Sequence, residues 1–278
     1  MMEGQLSHLK RAIDKGSNTR YIAVASGKGG VGKTLISINL AMIIRNIGKR
    51  VLIIDGDFGL SNVHIMLGLT PEKNLSDFIN GKASIDEIVF KINNNVSFIS
   101  SGNGIQELVN LSSKDITEIL DRIHEYAENN FDIIIFDTPP GLHNETLIIT
   151  SSSDIPIVIS TPEPTAVADA YALIKVLNTS MMLKDFYILI NKCSSKEEGL
   201  KIFNSINTVS QRFLDINLKY LGYITYNKNI IRKIVDQKPF DKTLTDELTQ
   251  SLKNIPLDIN VQSKQGFWSK LIERLKPT

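Results

Sequence analysis

The chain has 278 residues, enough for one large domain or two small ones, and its 42% apolar and 22% charged residues exclude a disordered or fibrous protein. Its 31 Lys and Arg residues against 30 Asp and Glu give a formal net charge of +1, so we expect no direct contact with nucleic acid. The single cysteine, Cys193, excludes a disulfide scaffold and any metal site built from several thiolates of one chain.

The N-terminal residues 1–16 are polar and lack the apolar core of a signal peptide. No apolar run approaches the roughly 20 residues that a membrane-spanning helix needs. We therefore expect a soluble, cytoplasmic protein.

Seven apolar runs of strand length recur along the chain. They are continuous rather than alternating, which is typical of strands buried on both faces of a parallel sheet. The stretches between them have helical periodicity and are long enough for parallel crossovers. This alternation predicts an α/β fold, a doubly wound and mostly parallel sheet with helices on both faces. The predicted strands cover residues 21–25, 51–54, 96–99, 133–136, 155–159, 187–190 and, more weakly, 220–224.

We infer the domain organisation from the features that the sequence lacks. No internal repeat, low-complexity tract or linker rich in Pro, Gly and Ser interrupts the chain. We therefore expect one domain over residues 20–255, an N-terminal appendage over 1–19 and a C-terminal tail over 256–278.

A glycine-rich segment joins the first predicted strand to the helical pattern behind it. It fits the phosphate-loop pattern G-x-x-x-x-G-K-[ST] in the required context of strand, loop and helix. Its glycines let backbone N–H groups converge on phosphate oxygens, and the helix N-terminus adds its positive dipole end. We expect Lys33 to contact the β/γ-phosphates of ATP and the Thr34 hydroxyl to ligate Mg²⁺. The predicted nucleotide-binding residues of this segment are Gly27, Lys28, Gly29, Gly30, Val31, Gly32, Lys33 and Thr34.

Acidic residues follow two later strands. Asp55 and Asp57 come after the strand at 51–54, and Asp137 follows the strand at 133–136. Ligands of open α/β sheets bind beyond the carboxyl ends of the strands, so these acids fit a nucleotide site. Asp137 is expected to hold a Mg²⁺-bound water, as the acid of a Walker B strand does. The alternatives are a solvated loop for the first two acids and a capping role for Asp137.

The sequence K-G-G-x-G-K-T at 28–34 resembles the deviant Walker A ATPases, the group of MinD, ParA and the nitrogenase iron protein. Residues 55–62 match the D-x-D-x-G-L-x-N switch of that family in full. The resemblance implies a P-loop NTPase fold of the MinD type and an ATP-dependent homodimer in which Lys28 reaches the partner's phosphates. It further implies that Asp57 positions the attacking water beside Mg²⁺, while Asp55 orients Lys28 or the metal shell.

Three more residues are interpreted through the same resemblance. Asn191 matches the family position that hydrogen-bonds the adenine of ATP or ADP, although an asparagine at a strand end is otherwise a turn residue. Glu163 resembles the residue that contacts nucleotide across the dimer in MinD-like members. His64 stands where relatives usually have an acid, so its contact is expected to differ.

The run D-A-Y-A-L-I-K at 169–175 resembles the FlhG (FleN) branch, whose members set flagellar number and position. Members of this branch carry an N-terminal motif that stimulates the SRP-type GTPase FlhF. Residues 4–10 keep only Gln5 and Leu9 of that motif, so a short N-terminal helix without a partner is the alternative. The resemblance also makes flagellar switch proteins or a transcription activator candidate partners.

Residues 266–277 have the composition of an interfacial helix, with apolar side chains on one side and cations on the other. At about 100° per residue the apolar side chains fall within an arc of about 140°, outside which Lys270, Arg274 and Lys276 lie. MinD-like and FlhG proteins use such a tail as a reversible anchor, which implies peripheral attachment to the inner face of the cell membrane. Docking on the chain's own domain and a partner groove are the alternatives. The arc consists of Phe267, Trp268, Leu271, Ile272 and Leu275.

Together these features predict an ATP-dependent, dimerising ATPase switch that regulates flagellar number and placement at the membrane, with slow hydrolysis stimulated by a partner. A MinD-type division-site ATPase, a ParA-type partition ATPase and a non-hydrolysing nucleotide-binding regulator of transcription are the alternatives. An electron-transfer ATPase like the nitrogenase iron protein needs two cluster cysteines per subunit, which Cys193 alone excludes.

Overall fold

The computed structural model describes residues 19–56, 63–102, 113–255, 257 and 266–275. Its eight strands are β1 (Arg20–Ala25), β2 (Val51–Asp55), β3 (Phe90–Asn93), β4 (Val96–Ser100), β5 (Ile133–Asp137), β6 (Ile155–Ser160), β7 (Tyr187–Cys193) and β8 (Lys219–Thr225). They form one sheet in the order β3-β4-β2-β5-β1-β6-β7-β8. All neighbours are parallel except β3 and β4, which are antiparallel.

Helices cover both faces of this sheet. They are α1 (Lys33–Asn46), α2 (Val63–Leu67), α3 (Leu75–Ile79), α4 (Ile85–Ile88), α5 (Ser113–Asn130), α6 (Asn144–Ser152), α7 (Pro164–Met181), α8 (Lys196–Leu214), α9 (Lys228–Val235), α10 (Lys242–Leu252) and α11 (Phe267–Leu275). One face packs against α1, α9 and α10. The other packs against α3 to α6 and α11 at one end, and against α7 and α8 at the other. The doubly wound, mostly parallel fold that the sequence predicts is therefore confirmed.

The continuous apolar runs arise because successive side chains of a strand enter different cores. In β1, Ile22 and Val24 lie in the core beneath α1, whereas Tyr21 and Ala23 lie in the core on the opposite face. All six residues of β1 are buried, so neither face has room for alternating polar residues.

The order of the strands in the sheet determines where the ligand crevice lies. From β1 the chain passes to β2 on one side of the sheet, and it reaches β6 on the other side only after β5. The carboxyl ends of β1, β5 and β6 therefore meet at a topological switch point, where open α/β sheets bind their ligands.

The sequence prediction missed β3. None of its four residues is fully buried, and they pair with β4 at the edge of the sheet, with a register shift between Lys91 and Asn93. A strand this short is defined by its hairpin partner rather than by its own apolar pattern.

The C-terminal helix α11 docks on the chain's own domain. Phe267 and Trp268 are 1% and 3% exposed, and Leu271 is buried as well. The Phe267 ring stacks on Tyr21 of β1 with 4.4 Å between centroids, and the Trp268 indole Nε1 donates to the Tyr21 hydroxyl at 2.6 Å. We expected the apolar arc of α11 to enter lipid, with docking on the chain's own domain as an alternative. The structure has the docked arrangement, because an apolar groove between α5 and α6 accepts the arc.

None of the helices among the described residues is long and apolar enough to cross a membrane. The N-terminal motif at 4–10 and most of the first switch, including Asp57, lie outside the described residues.

Candidate nucleotide-binding site

The phosphate loop connects β1 to α1 at the switch point, and its shape depends on glycine. Gly30 and Gly32 have φ values of 76° and 99°, in the left-handed region that favours glycine. At Gly27 the requirement is space, because a Cβ there would lie 2.1 Å from the backbone carbonyl oxygen of Asp169 in α7. The loop therefore approaches α7 more closely than any side chain would permit.

The N-terminus of α1 faces this loop without a capping side chain. Gly32 is the N-cap residue, and the first turn contains no acid. The positive dipole end of the helix, with the first backbone N–H groups, therefore favours an anion at the loop. Lys33, the first residue of the helix, is buried at the same place.

A buried cluster of oxygens lies beside α1. The Thr34 hydroxyl donates to Asp137 Oδ2 at 2.5 Å, and the Ser37 hydroxyl donates to Asp137 Oδ1 at 3.2 Å. Asp137 ends β5 and is only 1% exposed. Sequence reasoning did not single out Ser37, although it lies three residues after Thr34 and hence on the same face of the helix.

Asp55 ends β2 directly beside Asp137, with which it pairs in the strand register. It is fully buried, and its Oδ2 accepts the backbone N–H of Val63 at the start of α2. The carboxylate thereby connects the end of β2 to the helix that follows the first switch. His64, the next residue of α2, has its pKa lowered by burial, and its Nδ1 has no hydrogen-bond partner among the described residues.

Lys28 is engaged within its own chain. Its Nζ lies 2.9 Å from Glu163 Oε2 and 3.0 Å from the Thr165 hydroxyl, at the N-terminal end of α7. The hydrogen bond and the charge of Lys28 lower the pKa of Glu163. The two residues for which the family resemblance implies contacts across a dimer are therefore each other's partners in the single chain.

Asn191 lies against the phosphate loop at the end of β7. Its Nδ2 donates to the Val31 carbonyl at 2.7 Å, and its Oδ1 accepts the backbone N–H of Lys192 at 2.8 Å. Lys192 also contacts the loop, since its Nζ donates to the Gly30 carbonyl at 2.7 Å. Sequence reasoning missed Lys192, and its position next to Asn191 was the available signal.

The loop after β1, the ends of β2, β5 and β7, and the N-terminal ends of α1 and α7 meet at one end of the sheet. A glycine loop between a buried strand and a helix, with a Walker B acid hydrogen-bonded to the first threonine of that helix, defines a P-loop NTPase.

Comparisons with known proteins give the family. The AAA domain family AAA_31 matches residues 19–191. The antiactivator FleN of Pseudomonas aeruginosa is 34% identical over 219 residues, which cover 79% of this chain and 78% of FleN. The flagellum site-determining protein YlxH of Helicobacter pylori is 29% identical over 281 residues, covering 96% of this chain and 94% of YlxH.

Solved structures agree with the fold. The MinC:MinD cell division protein complex of Aquifex aeolicus has a TM-score of 0.67 at 21% identity, covering 89% of this chain and 100% of that chain. MinD of Pyrococcus horikoshii complexed with Mg-ADP has a TM-score of 0.63 at 22% identity, with 86% and 97% covered. The chain is thus an ATPase of the MinD/ParA family, and its relatives include FleN and YlxH.

Proposed function

We propose that this ATPase is a flagellar regulator that alternates between ATP-bound and ADP-bound states. One observation carries the proposal: an intact phosphate loop, the Thr34 and Asp137 pair and Asn191 meet at one end of the sheet in a chain related to FleN and YlxH. Regulation of division-site placement, as the name MinD indicates for more distant relatives, would use the same chemistry with other partners.

The nucleotide would lie along the loop. Residues 27–34 would bind the phosphates through backbone N–H groups, with Lys33 on the β/γ-phosphates. Asn191 would face the adenine. Its Oδ1 accepts one hydrogen bond from Lys192, and a carbonyl oxygen has a second lone pair that can accept from the adenine amino group.

The described residues fit Mg²⁺. The Thr34 hydroxyl and the Asp137 carboxylate, whose oxygens lie 2.5 Å apart, are hard oxygen donors. Mg²⁺ binds one or two such groups while keeping several waters. Thr34 would ligate the ion directly, and Asp137 and Asp57 would hold its water shell. When bound, the ion neutralises charge on the β- and γ-phosphates.

Hydrolysis would proceed by in-line attack of water on the γ-phosphorus. Asp57 would orient that water, the bond to the β,γ-bridging oxygen would break, and ADP and phosphate would leave. Lys33, Lys28 of a second subunit and loop N–H groups would stabilise the developing charge. No strong general base is assigned, so turnover should be slow until a partner accelerates it.

Dimerisation would require Lys28 to exchange its contacts. In the single chain it pairs with Glu163, and the two side chains are 40% and 60% exposed. Ion pairs this exposed contribute little to stability, so Lys28 can leave Glu163 for a phosphate of the opposite subunit at low cost. Glu163 would then be free to contact the nucleotide across the interface.

Membrane attachment would require α11 to leave its groove and to lie in the lipid interface with Phe267, Trp268, Leu271, Ile272 and Leu275. One short helix binds lipid weakly, whereas two tails on an ATP dimer act together through effective concentration. The protein would then be cytoplasmic and reversibly peripheral to the inner face of the membrane. FlhF, flagellar switch proteins or a transcription activator would be its partners.

The test combines an assay with a phenotype. The purified chain should hydrolyse ATP with Mg²⁺, and Lys33→Ala should abolish ATP binding in calorimetry. Deleting the gene should change the number or position of flagella, and only the wild-type chain, not Lys33→Ala, should restore them. Normal flagella with misplaced division septa would favour the division-site function instead.

A further inference from the structure

Two adjacent residues at the end of β7 hold two adjacent carbonyls of the phosphate loop. Asn191 Nδ2 donates to the Val31 carbonyl at 2.7 Å, and Lys192 Nζ donates to the Gly30 carbonyl at 2.7 Å. The Lys192 contact spans 162 residues of sequence, so the sheet and not local structure creates it.

The backbone at this contact is left-handed on both sides, which is ordinary for Gly30 but not for Lys192. Lys192 has φ 61°, in the left-handed region that residues with a side chain seldom adopt, and Gly30 has φ 76°. The backbone N–H of Lys192 donates to the Asn191 side chain at 2.8 Å, which supports the turn. Unfavourable backbone conformations persist where the surroundings enforce them, and they cluster at functional sites.

The geometry of the peptide group determines how these two hydrogen bonds orient the N–H groups of the loop. The C=O and N–H groups of a planar trans peptide point in opposite directions, and the described residues contain no cis peptide bond. Holding the Gly30 carbonyl towards Lys192 therefore aims the N–H of Val31 away from β7. Holding the Val31 carbonyl towards Asn191 does the same for the N–H of Gly32.

We propose that Lys192 is a positioning residue for phosphate: it fixes the Gly30–Val31 peptide so that the Val31 N–H stays aimed at the bound nucleotide. The inference rests on the proposed nucleotide site. The rival explanation is that the exposed Lys192 ammonium merely adds positive charge near the phosphates.

Lys192→Gly is the informative variant. Glycine adopts φ 61° without strain, so the fold should keep its thermal stability while the contact to Gly30 is lost. Calorimetry should find ATP and ADP affinities weakened about 5- to 10-fold, which corresponds to the net contribution of one ordinary hydrogen bond. Lys192→Arg, which keeps a donor of similar reach, should restore most of the affinity. Lys201→Ala, at an exposed lysine of α8, serves as the control and should bind like wild type.

The dependence of nucleotide affinity on salt concentration distinguishes a positioning role of Lys192 from an effect of its charge alone. Between about 0.1 M and 1 M KCl the Debye length falls from about 10 Å to 3 Å, so an effect of charge alone would disappear. The ratio of wild-type to Lys192→Gly affinity should instead stay the same. Wild-type affinity in Lys192→Gly, no rescue by Lys192→Arg, or a loss that vanishes at high salt would each overturn the positioning role. A wild-type chain that binds neither nucleotide would overturn the proposed site as well.

Discussion

Gly27 begins the phosphate loop where the backbone of α7 leaves no room for a side chain. A Cβ at this position would lie 2.1 Å from the Asp169 carbonyl oxygen, and backbone atoms cannot rotate out of the way. At Gly29, by contrast, the nearest atom that a Cβ would meet among the described residues is Pro140 Cγ at 3.9 Å.

We therefore predict that Gly27→Ala destabilises the nucleotide-free chain by about 1–3 kcal/mol, as overpacking of a tight site does. Gly29→Ala is the matched control and should change stability by less than about 0.5 kcal/mol. Denaturant unfolding without nucleotide measures both. Equal stability of the two variants would mean that the contact between the loop and α7 is not rigid.

Cys193 shows how burial decides the chemistry of a single side chain. It is fully buried, and burial, reinforced by the charges of Glu198 and Glu247, raises the pKa of its thiol to about 12. The reactive species is the thiolate, which is then almost absent near neutral pH.

We predict that a thiol reagent does not label the native chain at pH 8 and labels one thiol after denaturation. Absorbance of the released chromophore measures the stoichiometry. Rapid labelling of the native chain would show that β7 opens readily at Cys193.

At the scale of elements, docking of α11 in its groove competes with the proposed contact of its apolar arc with lipid. A substitution in the groove can weaken docking without altering the tail. Tyr21 is suitable because it belongs to β1 and its hydroxyl accepts a hydrogen bond from Trp268 Nε1 at 2.6 Å. The Tyr21 ring itself stacks on Phe267.

Tyr21→Phe keeps the ring and removes the hydroxyl, which should weaken docking by about 1 kcal/mol and raise the released fraction about 5-fold. We predict more co-sedimentation with anionic liposomes, since the tail is unchanged. Tyr21→Phe lacking residues 266–278 is the control and should not sediment. Unchanged sedimentation of Tyr21→Phe would argue against release of the tail as the limiting step.

The same groove contains a titratable ring. His124 of α5 lies 5.7 Å from the Trp268 ring between centroids, and its Nδ1 is 3.3 Å from Glu128 Oε1. Burial lowers the pKa of His124 below its ordinary value of 6.5, against the opposing charges of Glu128 and Glu125. Releasing the tail would uncover the ring and return the pKa towards 6.5.

Protons therefore favour the released tail. Docking should be at full strength above about pH 6.5 and should weaken as the pH falls below that value. Fluorescence of Trp268, the only tryptophan, reports the change between pH 7.5 and 5.5. His124→Gln should show a flatter profile, and an identical profile would exclude His124 as the cause.

At the scale of the whole molecule, the structure pairs Lys28 with Glu163 inside one chain, while the proposed mechanism places Lys28 in the opposite subunit's site. We predict that the wild-type chain has a dimeric mass with ATP and a monomeric mass with ADP. Asp57→Ala should bind ATP and accumulate as the dimer, because only water positioning is lost. Light scattering after size exclusion measures the masses.

Lys28→Ala should bind ATP and remain monomeric, because its phosphate contact is made across the interface. An ATP-bound Lys28→Ala dimer of normal stability would contradict that role. A wild-type rate of hydrolysis by Asp57→Ala would remove Asp57 from the mechanism.

The sequence by itself determined the parallel strands of the sheet and the glycine loop after β1, because both are recorded in local patterns. Strands such as β1 and β5 are continuous apolar runs, and the loop from Gly27 to Thr34 is a contiguous motif between a strand and a helix. The edge strand β3 was missed because its partner, not its own residues, defines it.

Only the tertiary structure decided the contacts between distant segments. Lys28 and Glu163 are 135 residues apart, Lys192 and Gly30 are 162 apart, and Trp268 and Tyr21 are 247 apart. Periodicity placed the apolar arc of α11 on one face but could not choose between lipid and protein, since both offer an apolar surface. That choice depends on the groove between α5 and α6, which exists only once the sheet has assembled.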